Sequence, residues 1–205
     1  MRTSVTAVLA ALAVLAAAPS MAADYRGHTI RLNDSPQAAQ CAAMVRKGID
    51  LLDTLSPRLR ALGHEVKDLR CEPTPPDATN TRAQDSVVGV YTVDGPNDPG
   101  GRIVFRRNPD ASAASLVAIS LVGNGVYARR QREYNEGKRH PSSSPAARAR
   151  MDWLEKVVTK SDRNLVLRAE CENMDAHYEA LKALDPDPRQ LSALNRVMRE
   201  RNCPL

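Results

Sequence analysis

The sequence is poor in aromatic side chains: one Phe, one Trp and five Tyr in 205 residues. Its core must therefore be built from Ala, Leu, Val, Ile and Met, which favours helices. No acidic residue precedes Asp24, and Arg2 is the only charge ahead of it. No apolar stretch reaches the ~20 residues that a membrane-spanning helix needs. Cysteines in C-x-x-C spacing are absent, and no histidine has another at i+4. The usual zinc signatures are thereby missing, and the sequence calls for no metal and no cofactor. No G-x-S-x-G elbow, phosphate-cradling G-x-x-x-x-G-K loop or G-x-G-x-x-G fingerprint occurs. Serine-hydrolase, P-loop and dinucleotide chemistry have no sequence basis here.

What is present begins with an address. Ala7 to Ala18 is an uncharged apolar run, followed by Pro19-Ser20-Met21-Ala22. Small residues thus stand three and one positions before a cut at Ala23. The pattern predicts a secretory signal peptide of bacterial style over residues 1–22. The remainder, 23–205, reads as a single exported α+β domain in the periplasm or the extracellular medium. Losing residues 1–22 takes the formal charge from +5 to +4. That is mildly basic, without the dense basic stripe of a nucleic-acid binder, so no nucleic-acid partner is expected. An oxidising compartment and an even cysteine count predict two disulfides among Cys41, Cys71, Cys171 and Cys203, which allow three pairings.

The expected fold is mostly helical, with a small β-hairpin or sheet packed on helices and a C-terminal antiparallel helix hairpin. Arg26 to Leu32 reads as a short strand. Ser35 then reads as an N-cap with Pro36 at the first helical position. Cys41, Val45, Ile49, Leu52 and Leu55 form one helical face. Ser56-Pro57 restarts the helix and Gly63 ends it, before a strand over Val66 to Cys71. The Pro- and Asn-containing stretch Glu72 to Asp85 reads as a loop. Ser86 to Asp94 and Arg102 to Arg107 read as a hairpin joined by a wide turn over Gly95 to Gly101.

Asp110 is expected to cap a helix over Ala111 to Tyr134. Its two interior glycines, Gly123 and Gly125, each cost ~1 kcal/mol relative to Ala. They require either a break or the tight approach of another backbone. Asn135 to Ser144 reads as a polar basic segment. Ser144-Pro145 starts a helix carrying Met151, Leu154 and Val158. Leu167, Cys171, Met174, Tyr178 and Leu181 mark the next helix. Asp187-Pro188 starts the last, lined by Leu191, Leu194 and Met198. Reflecting Cys171 about a turn near residue 186 lands close to Cys203. The expected pairs are therefore Cys171–Cys203 and Cys41–Cys71.

Two clusters are candidates for chemistry. Glu170, Glu172, Asp175 and Glu179 share a helix with His177, and paired carboxylates serve acid–base work when burial separates their pKa values. A hydrolase site at Glu172, Asp175 and His177 is the catalytic alternative. Residues 126–150 carry Arg129, Arg130, Arg132, Lys138, Arg139, Arg148 and Arg150, opposed only by Glu133 and Glu136. With Tyr127 and Tyr134 interleaved, Arg129, Arg130, Arg132, Lys138 and Arg139 form a candidate anion-binding surface. In an exported protein its partner would be another protein or an anionic envelope polymer. The leading expectation is a non-catalytic binding protein. An inhibitor or accessory factor of another exported enzyme is a related alternative.

One stretch adds to this reading. Pro99-Gly100-Gly101-Arg102-Ile103-Val104-Phe105 resembles the strand preceding the active-site helix of HtpX-like gluzincin metallopeptidases. The later segment Glu170-Cys171-Glu172-Asn173-Met174-Asp175 is similar to that family's E-x-E-A-D helix, and Asp185-Pro186 or Asp187-Pro188 follows it. The resemblance covers about residues 86–190. Where the family carries H-E-x-x-H, this chain has Ile119-Ser120-Leu121-Val122-Gly123. Two imidazoles one turn apart hold the zinc in such sites, and the glutamate deprotonates its water. Cys171 also stands where the third ligand, a glutamate, would fall. The resemblance therefore implies a peptidase-like scaffold without its metal site.

Overall fold

Alternation of apolar and polar residues builds the sheet, and a central helix buried on nearly every side organises everything else. The computed structural model describes residues 22–72, 89–95, 98–105, 113–185 and 187–204. The expected signal peptide up to residue 21, the loop after Glu72, the cap at Asp110 and Arg106-Arg107 lie outside the described residues. Strands β1 (Ala22–Tyr25), β2 (His28–Leu32), β3 (Asp68–Cys71), β4 (Gly89–Thr92) and β5 (Arg102–Phe105) form one sheet in the order β1-β2-β3-β5-β4. The two outer pairs are antiparallel; β2–β3 and β3–β5 are parallel. Ile30, Leu69, Cys71, Ile103 and Phe105 point to one buried face. Thr29, Arg31, Asp68, Arg70 and Arg102 stand on the other, as a period of two requires.

The stretch Arg26–Leu32 does not form one strand. Tyr25 pairs with His28 across a two-residue turn. Arg26 (φ +49°) and Gly27 (φ +79°) both take left-handed backbone, the signature of a type I′ hairpin turn. Gly27 accepts that conformation without strain.

Six α-helices lie among the described residues: α1 (Ala38–Leu51), α2 (Pro57–Gly63), α3 (Ala113–Arg139), α4 (Pro145–Val158), α5 (Arg163–Leu184) and α6 (Pro188–Glu200). The fold is α+β and mostly helical. No helix among the described residues is long and apolar enough to cross a membrane. Ser56 caps α2 by accepting from the Leu59 N–H, and Asp187 caps α6 through the Arg189 N–H. Ser35 is not the cap of α1. Its hydroxyl turns to Gln37, and the helix begins at Ala38.

Helix α3, about 40 Å long at 1.5 Å per residue, is the axis of the molecule. Val117, Ala118, Ile119, Leu121 and Val122 are all buried, so this part is covered all round. The helix runs unbroken through Gly123 and Gly125. A Cβ at Gly125 would land on the Leu62 carbonyl oxygen of α2, so that glycine marks a backbone in direct approach. The helix also continues past Tyr134 to Arg139. Asn135 donates to the Asp98 carbonyl at 2.5 Å, and Gly137 admits Met151 of α4, so tertiary contacts extend a polar segment that local composition leaves irregular.

Helix α5 meets α3 through small side chains, Ala169, Ala176 and Ala180, all buried. Leu181 joins the main core as well, whereas Cys171, Met174 and Tyr178 serve a second cluster with Met198 and Cys203. The disulfide Cys41–Cys71 joins α1 to β3, and Cys171–Cys203 joins α5 to the segment after α6. Closing loops of 30 and 32 residues, each contributes ~3–4 kcal/mol in a chain-entropy account.

If α2 rests on Gly125 as described, Gly125→Ala should lower stability by about 2 kcal/mol or more, as overpacking does. Gly100 has open space around it, so Gly100→Ala should stay within about 0.5 kcal/mol. Urea midpoints of the two variants check this. Equal midpoints would show that α2 and α3 are not in backbone contact.

Candidate functional site

The turn of α3 over residues 119–123 is a packing surface. Ile119 is 1% exposed and belongs to the main core. A Cβ at Gly123 would stand 2.9 Å from Nδ1 of His177 on α5, so the imidazole fills the space that glycine leaves. Burial there holds the His177 imidazolium pKa below its ordinary value. One turn away on α5, the side-chain oxygen of Asn173 is buried without a partner. Asn124 donates to the Ser120 carbonyl, a bond within α3 at 2.8 Å.

The acidic cluster is divided among separate guanidinium groups. Glu170 pairs with Arg201 and Glu172 with Arg130. Asp175 and Glu179 both pair with Arg58 of α2, at 3.3 and 2.7 Å. Glu172 and Asp175 line an open cleft of about 500 Å³ beside α5. His177 faces Gly123 instead. The three residues of the catalytic alternative are therefore not assembled around one point.

The basic segment also divides. Arg130 is only 4% exposed; it donates to the Ala169 carbonyl at 3.0 Å, pairs with Glu172 and lies over the Trp153 ring. Arg150 covers the same ring and grips Glu133 with two bonds of 2.7 Å. The bond from Arg150 holds the Glu133 carboxyl below its ordinary pKa. Arg129 and Arg132 both pair with Glu65. Lys138 and Arg139 have no carboxylate partner among the described residues: Lys138 sits over the Tyr134 ring, and Arg139 donates to the Asn135 carbonyl at 3.3 Å. Arg148 is exposed and makes no ion pair among the described residues. Arg139, His140 and Arg150 line an open cleft of about 640 Å³ where α3 meets α4, with Glu133, Glu136 and Met151.

A histidine pair went unread in the sequence. His28 alternates with Ile30 toward the core and is fully buried. Its Nδ1 lies 2.8 Å from the Val66 carbonyl, and its Nε2 lies 2.9 Å from Nδ1 of His64. A carbonyl only accepts, so His28 carries its proton on Nδ1, and His64 donates to Nε2. Lys67 and Arg60 stand near His64 with Arg26, and Asp53 is the opposing charge. Among the described residues no group of three His, Cys, Asp or Glu side chains is placed to hold a metal ion.

Comparison with family models, with curated proteins and with solved structures returns no match.

Burial, opposed in part by the Val66 bond, lowers the His28 pKa to about 4, against 6.5 ordinarily. The unfolded chain therefore takes up this proton as pH falls through about 6.5, and the folded chain does so only near about 4. Stability should fall across that window, by up to about 3 kcal/mol from this residue, and change no further below it. His28→Gln should flatten that part of the profile when urea unfolding is followed against pH. Parallel profiles for the two proteins would show that His28 is not held neutral.

Proposed function

We propose that this protein is an exported binding protein that acts by contact with an acidic or anionic partner, not by catalysis. Its contact surface is the junction of α3 and α4, at Lys138, Arg139 and Arg148, with His140 beside them. The observation that carries this reading is the division of the basic segment. Arg129 and Arg132 share Glu65, Arg130 pairs with Glu172 and Arg150 with Glu133, whereas Lys138, Arg139 and Arg148 have no carboxylate partner among the described residues. Unpaired cations beside an open cleft hold a field that a partner's anions can complete. The two disulfides support export, because such bonds persist in oxidising compartments.

The scaffold is read as peptidase-like without a metal. The order of hairpin strand, long helix and acidic helix supports the likeness. The filling of the Gly123 position by His177 supports the loss of the ion's space. The partner is a protein with an acidic face or an anionic envelope polymer.

Polyglutamate serves as a model acidic polymer for the test. Wild-type protein should bind it at low salt and release it as salt rises. Replacing Lys138, Arg139 and Arg148 together with Gln should weaken binding about tenfold, at ~0.5 kcal/mol per exposed charge. Arg129→Gln, which removes a charge already opposed by Glu65, should change it by less than about twofold. Salt-independent binding, or the reverse order of the two variants, would overturn the assignment.

A further inference from the structure

The two disulfides sit in different surroundings. Cys41 and Cys71 are 0% exposed and lie within the main core between α1 and the sheet. Cys171 and Cys203 are 9% and 7% exposed and belong to the smaller cluster around Met198. Cys171 also lines the open cleft of about 500 Å³ beside α5, together with Leu167, Arg168, Asn202 and Pro204. Two carboxylates face that cleft, Glu172 and Asp175, and both are already paired, with Arg130 and Arg58. Arg201 is paired with Glu170, while Arg168 has no carboxylate partner among the described residues. Arg168 thus places a cation without an ion pair in the cleft that Cys171 lines.

The element tied down by this bond is otherwise held by a thin set of contacts: Leu191 and Leu194 against the main core, Asn195 donating to the Tyr178 hydroxyl at 3.3 Å, and the Arg201–Glu170 pair. Met198 is the one buried residue of α6; Leu191 and Leu194 are half-buried. Past the helix, Asn202 takes left-handed backbone (φ +55°). Cys203 N–H bonds the Met198 carbonyl and Asn202 N–H bonds that of Arg199, at 2.8 and 3.0 Å. This Schellman closure aims Cys203 back at α5. Without the disulfide, α6 would keep one buried side chain, Met198, and two half-buried leucines against the main core, the profile of a segment that opens locally.

We propose that Cys171–Cys203 is a thiol-exchange site, opened by a dithiol partner while Cys41–Cys71 stays closed, and that opening it frees α6 from α5. A thiolate of the partner attacks Sγ of Cys171 from the cleft. The Cys171–Cys203 bond breaks, and Cys203 leaves as a thiolate that takes a proton from water. The partner's second thiol, as thiolate, attacks its own sulfur in the mixed disulfide and releases Cys171, which is protonated in turn. The partner ends as a disulfide and the protein as two thiols, so two electrons and two protons have passed to the chain. Opening exposes the apolar seam: Met174 and Tyr178 on α5, Leu191, Leu194 and Met198 on α6. The reaction runs backward with a disulfide oxidant, so the device is reversible.

The test uses full-length oxidised protein and dithiothreitol as the probe, with alkylation and peptide mapping over time. Cys171 and Cys203 should become alkylated about tenfold faster or more than Cys41 and Cys71. Amide exchange over 188–200 should rise in step, while α1 and the sheet stay protected. A small C-x-x-C protein lacking its second cysteine should be trapped on Cys171. Simultaneous reduction of both bonds, trapping on Cys41 or Cys71, or an α6 that stays protected after reduction would each overturn the proposal. The readouts are made on the native chain, so none depends on a variant that folds. Cys203→Ser adds an independent check: its α6 should exchange like that of the reduced protein, and a wild-type pattern would count against the device.

Discussion

Everything in the structure is arranged around the approach of other backbones to α3. Residues two apart on an α-helix point about 200° apart. Gly123 and Gly125 therefore open two different sides of one helix, the first to His177 of α5 and the second to the Leu62 carbonyl of α2. Two interior glycines cost about 2 kcal/mol of helix propensity relative to Ala. Burying the surrounding turns on all sides offsets this, since Val117 through Val122 give up nearly all their solvent contact, Ser120 excepted. Arg58 then ties α2 to α5 through Asp175 and Glu179, so the two neighbours of α3 are also bound to each other. In an axis packed this closely the space beside Gly123 is taken by the His177 imidazole. The same closeness makes the helix a rigid base for whatever its far end presents.

Charge is distributed along that axis by burial. Arg130, at 4% exposure, cannot be left without acceptors, because an unpaired buried guanidinium costs several kcal/mol. The Ala169 carbonyl, Glu172 and the Trp153 face supply them, and this makes Arg130 a part of the α3–α4–α5 assembly. Arg129 and Arg132 are more exposed, and their pairs with Glu65 contribute at most ~1 kcal/mol each. Their effect is on the surface field, which the shared Glu65 halves. Toward the end of α3 the carboxylates run out before the cations do. Lys138, Arg139 and Arg148 sit there by position in the fold, not by density in the sequence.

Periodic and local features were legible in the residues. The face Cys41, Val45, Ile49 and Leu52 is buried as its spacing requires, and the caps at Ser56 and Asp187 follow from Ser-Pro and Asp-Pro. The mirror position of Cys171 falls two residues from Cys203 because an antiparallel helix pair makes sequence distance from the turn a spatial measure. Partner choice over long separations was not legible. Arg130 and Glu172 are 42 residues apart, and Arg129 and Glu65 are 64 apart. A spacing rule that counts seven cations in 126–150 cannot see the carboxylates from elsewhere in the chain that fold against three of them. Of the stripe read on α5 from Leu167, Cys171, Met174, Tyr178 and Leu181, the middle three form the cluster shared with α6, and Leu181 belongs to the main core. The contact of α5 with α3 runs through alanines, which carry little weight in a hydrophobic pattern yet permit the closest packing. His28 belongs to the same class: its place beside Ile30 in a period of two puts it indoors, but His64 comes from another loop altogether.

The two covalent links act on regions of unequal packing, and this sets what each can do. Cys41 and Cys71 lie among Ile30, Val45, Leu69 and Phe105, in a core that would hold α1 to the sheet through apolar contact alone. A bond placed there adds stability by limiting the unfolded chain. Cys171 and Cys203 lie in a cluster with one other buried side chain. There the bond adds to the modest packing of α6, Leu191 and Leu194 on the main core and Met198 in the smaller cluster, while its other face offers Arg189, Ser192, Arg196 and Arg199 to solvent. A constraint that supplements a core is silent when removed locally. Where packing is thinner, as around α6, the bond carries a larger share of what holds its element in place.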